Sequence, residues 1–440
     1  MQKLSCITCG KTFGINENRT AVIVCECGGL LDLEQPIEEL KRLNLKKVFD
    51  ERLSSCELPD ASGVWRYREL LFDAGRIISR FEGNTRLYPS EKLSAKLGVE
   101  LFFKHEGENP TGSFKDRGMT VAITAGVNAG CHNFVCASTG NTSASLASYC
   151  AAAGLPAVAS AKVGLNGIVI IPNGKIALGK LSQALAFGAK VLQIDGNFDA
   201  AMKLVNELGK KFDSKNPADS VYVLNSINPF RIEGQKTIVF EILQQLNWNA
   251  PDWIVLPAGN LGNTSAFGKA ISEAFELGLI DRKPRIAAVQ AAGANPFFKY
   301  FENKWKKFEA IENPETIATA IKIGNPQSFL RARRAIEETN GVVLEVSENE
   351  IMDAKAEIDA AGIGCEPASA CSLAGIRQLV ANGKIKKGEK VVGVLTGHLL
   401  KDPDATMNYH AGKLTGIDSA RANQPRRIEA SVKAVLAVIK

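Results

Sequence analysis

Short apolar, β-branched runs recur along the chain at residues 133–136, 157–160, 168–171, 190–194, 221–225, 253–256, 286–290 and 391–395. Between many of them lie Ala- and Leu-rich segments of helical length, at 175–187, 199–211 and 264–277. Continuous apolar runs of four or five residues mark strands covered on both faces. Strands of that kind alternating with helices predict an α/β fold of parallel-rich sheets with helices on both sides. Ligands of such sheets bind at the carboxyl ends of the strands, so function is sought at strand-to-helix turns. The first 30 or so residues break the pattern and read as a small module punctuated by cysteine and glycine. Residues 31–80 read as helical or irregular chain wrapping onto the main body.

Charge patterning sharpens this picture. Residues 118–161 contain no Asp, Glu, Lys or Arg. They are rich in Ala, Ser, Gly and Thr, without the ~20 dominantly apolar residues of a membrane span, so they belong to a buried α/β interior. The 440 residues are 45% hydrophobic and 23% charged, which excludes disordered and fibrous classes. At roughly 150 residues per domain, the length suggests about three compact units. Lys+Arg exceeds Asp+Glu by only 53 − 47 = 6. The basic runs at 41–47 and 331–334 read as solvated helix faces, so neither nucleic acid nor membrane is an expected partner. Ten cysteines without a secretory leader imply reduced thiols and a cytoplasmic protein.

Four local patterns carry chemistry. The pentapeptide Gly-Asn-Thr-Ser-Ala occurs twice, at 140–144 and 262–266, each time between a strand and an Ala-rich helix. Free N–H groups and short hydroxyls at a helix start attract anions. The second copy extends upstream to Gly259, Asn260, Leu261, Gly262 and Asn263, a cradle suited to phosphate. Lys115 sits between a Pro/Gly turn and the uncharged stretch, where desolvation lowers an amine's pKa and makes it nucleophilic. Asp116 and Arg117 are expected to pair with each other there. Asn225, Ser226 and Arg231 follow a strand and offer amide, hydroxyl and guanidinium groups to a second phosphate. Finally, Cys6-x2-Cys9 and Cys25-x-Cys27 offer four thiolates for tetrahedral Zn²⁺, which would staple a module too small for its own core. No Gly-x-Gly-x-x-Gly follows a strand, which argues against a dinucleotide oxidoreductase.

These residues resemble a known family. Residues 108–118 are similar to the lysine motif of the threonine synthases, pyridoxal-phosphate enzymes of the tryptophan-synthase-β fold type (fold type II). Residues 138–143 resemble the family's loop under the cofactor ring, and 257–263 its phosphate cradle. Residues 225–237, 316–326, 366–370 and 395–403 match segments typical of threonine synthases. The resemblance runs in family order from about residue 80 to the end. One departure is Arg86, in residues 82–87, where the family has Thr-Pro-Leu; it is read as a matter of backbone at the entry to the catalytic region.

The resemblance implies two α/β domains plus a zinc-ribbon-like module at 1–34. The catalytic region would span 35–440, with a smaller mobile subdomain at about 118–210. It implies that Lys115 carries pyridoxal 5'-phosphate and then moves protons. Asn141 would meet the ring hydroxyl, residues 259–263 the cofactor phosphate, and Thr396 the pyridine nitrogen. Ser138, Thr139, Thr142 and Ser143 would receive the substrate carboxylate, and Asn225, Ser226 and Arg231 its phosphate. The implied reaction converts O-phospho-L-homoserine and water into L-threonine and phosphate, in a homodimer. Alternatives on the same scaffold are a threonine/serine dehydratase and a phosphoserine-using cysteate synthase. A non-catalytic binding protein is the rival from another class, disfavoured by retention of Lys115 and both anion turns. The short lead before Cys6 predicts no S-adenosylmethionine regulation of the plant kind.

Overall fold

The computed structural model describes residues 2–15, 22–154, 164–173, 178–196, 198–212 and 215–439. The expected strand at 157–160 and the first residues of the expected helix at 175–187 lie outside them. Strands β1 (Lys3–Cys6), β2 (Thr12–Gly14) and β3 (Leu31–Glu34) form a small antiparallel sheet in the order β2-β1-β3. Strand β3 thus occupies the start of a stretch expected to be helical or irregular. Next come β4 (Leu87–Pro89) and β5 (Glu100–His105), then β6 (Asn133–Ala137), β7 (Asn166–Pro172), β8 (Lys190–Ile194) and β9 (Val221–Val223). The last four are β10 (Trp253–Pro257), β11 (Arg285–Ala291), β12 (Val342–Val346) and β13 (Lys390–Leu395).

Two sheets carry the body. One has the order β12-β11-β10-β13-β5-β4, parallel except for β4; the other is β8-β7-β6-β9 and wholly parallel. Every residue of β10 is buried, as its unbroken apolar run predicted. The edge strand β8 buries none. Strand β5 escaped the sequence reading because it ends in Lys104 and His105. Both are buried, Lys104 against Glu241 and His105 through Nε2 to the Gly364 carbonyl at 2.9 Å.

A buried ionic cluster ties these layers together. Arg117, in the first turn of the helix Lys115–Asn128, meets Glu106 through Nε at 2.7 Å and Glu241 through Nη2 at 2.8 Å. Lys104 Nζ lies 2.6 Å from Glu241 Oε1. The backbone N–H groups of Asn84 and Thr85 donate to the same Glu241 carboxylate at 2.9 and 3.0 Å. Burial alone would raise the Glu241 pKa, but Arg117 and Lys104 hold it well below the usual carboxylate range. The expected Asp116–Arg117 pair does not form, because adjacent helix residues point in different directions. Asp116 instead accepts from Thr111 N and Oγ1, both at 2.7 Å, and from Ser145 Oγ at 2.5 Å.

Glycine permits a very close helix crossing. A Cβ on Gly234 would fall 1.8 Å from the Arg117 carbonyl oxygen, so the helices Lys115–Asn128 and Pro229–Gln245 meet backbone to backbone. The basic run at 331–334 is not simply solvated either. Arg331 is buried, its Nε 2.9 Å from Asp32 of β3, and Arg334 reaches the same carboxylate at 2.5 Å. Residues 86–89 keep the backbone role expected of Arg86: its side chain is exposed, its N–H donates to Glu108 and its carbonyl accepts from His105 N. Among the described residues, no helix is long and apolar enough to cross a membrane.

Removing one partner of a buried, hydrogen-bonded ion pair leaves an uncompensated charge and costs about 3–5 kcal/mol. Glu241→Gln is therefore expected to lower the urea midpoint strongly, whereas Lys307→Ala, which breaks an exposed pair with Glu309, leaves it unchanged. Equal effects of the two would show that the cluster does not hold the fold.

Candidate active site

The carboxyl ends of β6, β10 and β13 and the loop after β9 open onto one cleft of about 1310 Å³, between the two large sheets. Much of its lining falls within the segments 107–115, 137–142, 257–263, 311–327 and 396–401. Both copies of the repeated pentapeptide open helices here, Asn141–Ala153 and Gly262–Glu276. Two helix N-termini therefore face one cavity, as the repeat predicted.

Lys115 begins its helix after a turn that Gly112 takes with φ +83°. The turn is pinned from below: Phe114 N donates to the Thr396 carbonyl at 3.0 Å and His398 N to the Gly112 carbonyl at 2.9 Å. The amine lies 4.2 Å from the centre of the Phe114 ring, and among the described residues no carboxylate forms an ion pair with it. Burial lowers its pKa to about 7; Arg231 pushes the same way and Glu366 opposes. Burial likewise pushes the Asp116 carboxyl up to about 6 against its own hydrogen bonds.

Most of the anticipated residues line the cleft: Ser138, Thr139, Asn141 and Thr142 on one wall, Gly259, Asn260, Leu261, Gly262 and Asn263 on another, with Thr396 between. Leu261 holds a left-handed φ of 63° just before the helix, a strained conformation of the kind that clusters at ligand sites. Both polar atoms of the Asn263 amide and Thr264 Oγ1 are buried without a hydrogen-bond partner among the described residues. A Cβ on Gly259 would meet Ile321 Cα at 3.0 Å, so the segment 311–327 presses on this cradle. Thr396 Oγ1 shares a 3.0 Å hydrogen bond with Ser369 Oγ.

Two expected side chains are engaged elsewhere. Ser143 is buried off the cleft wall and donates to the Gly140 carbonyl at 2.7 Å. Asn225 lines the cleft, yet its amide is clamped to Ala137, Oδ1 accepting from N and Nδ2 donating to O, both at 3.0 Å. It stitches β9 to β6 instead of reaching outward. Arg231 behaves differently. It is 2% exposed, Nη1 donates to the Leu224 carbonyl at 2.9 Å, and Nε has no partner among the described residues. The neighbouring Glu233 takes Lys236 and Lys269, not Arg231.

Sequence reasoning assigned no role to Glu366, Gln235 or Lys401, although all three fall in the segments that carry the family resemblance. Glu366 is buried on the cleft wall, and Asn141 Nδ2 donates to its two oxygens at 3.3 and 3.2 Å. Burial raises its pKa. Lys401 reaches across the cleft to Gln183 of the four-stranded side.

The N-terminal cysteines form a second centre. The sulfurs of Cys6, Cys9, Cys25 and Cys27 all lie within 4.8 Å of one another, three of their separations being 3.5–3.6 Å. Ligands about 2.3 Å from Zn²⁺ at tetrahedral angles stand about 3.8 Å apart, so the cluster fits that ion. The single residue between Cys25 and Cys27 does not prevent the pair from converging. A Cβ on Gly29 would fall 2.5 Å from Cys6 Sγ, so the Gly-Gly after Cys27 makes room for the sulfur cluster.

A buried neutral amine beside two helix N-termini, with orphaned polar atoms and a glycine cradle, fits an aldehyde cofactor that bears a phosphate. Comparison with known proteins agrees. The family described as pyridoxal-phosphate dependent enzyme matches residues 78–397. The chain is 47% identical to threonine synthase of Methanocaldococcus jannaschii, covering 91% of this chain and 93% of that one. It is 44% identical to threonine synthase of Methanosarcina acetivorans, over 93% and 94%. Threonine synthase from Escherichia coli superposes with a TM-score of 0.67 over 100% of this chain and 99% of that one, at 18% identity. Maize serine racemase gives 0.60 over 75% and 93%, at 21%. Fold and cleft define a fold-type-II enzyme that uses pyridoxal phosphate. Within that class, the chain belongs to the threonine synthase family.

An amine of pKa about 7 is mostly neutral above neutrality, whereas an ordinary lysine stays charged to about pH 10. The rate at which the cofactor-free chain takes up pyridoxal phosphate should rise between pH 6 and 8 and then level. In Arg231→Gln, loss of the neighbouring cation should move that rise to higher pH. A rate still climbing above pH 9 in the parent would show the amine to be unperturbed.

Proposed function

We infer that the chain converts O-phospho-L-homoserine and water into L-threonine and phosphate, with pyridoxal phosphate as cofactor. The observation that carries this is Arg231, a buried guanidinium on the cleft wall to which no carboxylate is ion-paired among the described residues, with Ser226 lining the same cleft. A dehydratase acting on an unphosphorylated amino acid needs no such second anion site.

Each group has work that suits its setting. The cofactor supplies an electron sink for charge that develops at the substrate α-carbon. Lys115, whose lowered pKa of about 7 leaves much of it unprotonated at neutral pH, holds the cofactor and then takes the α-proton and a β-proton. One proton goes back to the γ-carbon once phosphate has left, making the methyl group, and one to the α-carbon at the end. Residues 259–263 hold the cofactor phosphate through backbone N–H groups at the helix start. Asn141, oriented by Glu366, meets the ring hydroxyl, and the Thr396 hydroxyl meets the ring nitrogen without forcing a proton onto it. Ser138, Thr139 and Thr142 receive the substrate carboxylate. Ser226 and Arg231 receive the phosphate and stabilise it as it leaves the γ-carbon; Asn225 serves by holding their strand in place. Water then adds at the β-carbon.

Water must stay out until phosphate has left. We assign that exclusion to the smaller subdomain, residues 118–210 completed by β9, closing on the rest of the 35–440 catalytic region. Residues 1–34, with Cys6, Cys9, Cys25 and Cys27, serve as a zinc-binding ribbon docked on the catalytic region. The protein is a homodimer and works in the cytoplasm; no nucleic acid or membrane takes part.

O-Phosphohomoserine and O-phosphoserine offered separately to the purified enzyme test the substrate. Threonine and phosphate in equal amounts from the first alone, abolished in Lys115→Ala, is the expected result; turnover of phosphoserine instead would keep the cofactor and overturn the substrate. Arg231→Gln should raise KM for O-phosphohomoserine by about tenfold or more, as expected when a charge-assisted hydrogen bond is lost. Elemental analysis should find one zinc per chain, lost in Cys6→Ser; a metal-free parent of full stability would remove the ribbon assignment.

A further inference from the structure

Gln235 stands one helical turn beyond Arg231 on the helix Pro229–Gln245, and both side chains line the cleft. Gln235 is 3% exposed, and its Oε1 has no hydrogen-bond partner among the described residues. That oxygen is aimed at the phosphate cradle: a Cβ on Gly262 would lie 3.5 Å from it and 3.9 Å from Ser226 Cβ. The amide nitrogen points the other way, toward Gly118, whose added Cβ would lie 2.9 Å from Nε2 and 3.2 Å from Arg231 Nε. An acceptor therefore faces a site built for an anion, while a donor faces the unpartnered N–H of a guanidinium.

A half-turn of the terminal amide resolves both mismatches. It brings Nε2 to the Gly262 side and Oε1 to the side of Arg231 Nε, the donor that has no acceptor. Buried polar atoms are rarely left unpaired, so one rotation that relieves two orphans is strongly preferred. We propose that Gln235 is a cofactor-phosphate ligand. Its amide N–H₂ donates to the anion in the Gly262 cradle, and its oxygen accepts from Arg231 Nε, joining the cofactor-phosphate and substrate-phosphate sites through one side chain. This rests on placing the cofactor phosphate at residues 259–263. It goes beyond that reading by naming a ligand outside the glycine loop and a physical link between two anion sites.

The test compares pyridoxal phosphate with pyridoxal, which lacks the phosphate, in binding to the full-length chain freed of cofactor. Gln235→Met keeps the volume and removes the donor; Gln235→Glu keeps size and polarity and places a charge against the anion. In both, affinity for pyridoxal phosphate should fall by about ten- to a hundredfold, with Glu the worse, while affinity for pyridoxal stays within twofold. Equal losses for the two ligands would reduce Gln235 to a packing role and overturn the proposal. So would unchanged pyridoxal phosphate affinity with a raised KM for O-phosphohomoserine, which would assign the amide to the substrate alone. A parent chain that binds both ligands equally would remove the cradle itself, and this proposal with it; the failure of the threonine-forming reaction would leave these binding ratios untouched.

Discussion

The position of the reactive lysine depends on a charge cluster that it does not join. Arg117, two residues along the same helix, is locked by Glu106 from the end of β5 and by Glu241 from a second helix, with Lys104 completing the balance. Two cations and two anions are taken out of water together. Their desolvation is offset because every carboxylate also receives hydrogen bonds: Glu241 from two backbone N–H groups, and Glu106 from the hydroxyl of Thr85 and the amide of Asn109. Strand, entry loop and two helices thus meet at one point, and the first turn of the helix Lys115–Asn128 cannot shift independently of any of them.

That arrangement separates two kinds of buried charge. Below the cleft floor, the cluster cations are saturated with carboxylates. On the floor, Lys115 and Arg231 are not, and burial acts on them with little opposition, bringing the amine to about 7 and the guanidinium to about 10. Neutral groups of the cleft wall include unpaired ones too: the amide of Asn263 and the oxygen of Gln235 have no hydrogen-bond partner among the described residues, whereas Asn228, off the cleft, is hydrogen-bonded.

Features set by contiguous residues were legible in the chain. The duplicated pentapeptide, the glycine cradle and Lys115 after its Pro/Gly turn depend on local backbone geometry, and all three face one cleft. Features set by distant partners were not. Asn225 has the right chemistry for a phosphate, but Ala137, 88 residues away, takes both ends of its amide. Asp116 and Arg117 look like a pair in sequence and are separated by helix geometry, each finding partners elsewhere. Strand β5 went unnoticed because Lys104 and His105 interrupt its apolar run, and only Glu241 and Gly364 brought beside them explain their burial. Arg331 read as solvated because its acid, Asp32, lies in the N-terminal ribbon.

The ribbon shows how far that long-range pairing reaches. Leu4, Cys6, Leu31 and Leu33 share a hydrophobic core with the four-stranded sheet, while Asp32 holds Arg331 and Arg334 on the helix Phe329–Glu338 of the other lobe. The module therefore touches both lobes that flank the cleft. The segment immediately before that helix, residues 311–327, lines the cleft and presses on Gly259. Fold alone does not choose the reaction, since serine racemase and threonine synthase structures share this architecture at about 20% identity. The choice rests on the few groups that the architecture leaves unpaired. Among them Arg231 is the most expensive to bury, because a guanidinium withdrawn from water costs several kcal/mol without a counter-ion. Arg231 is buried at 2% exposure with no carboxylate ion-paired to it among the described residues, so its charge is left on the cleft floor without a counter-ion inside the fold.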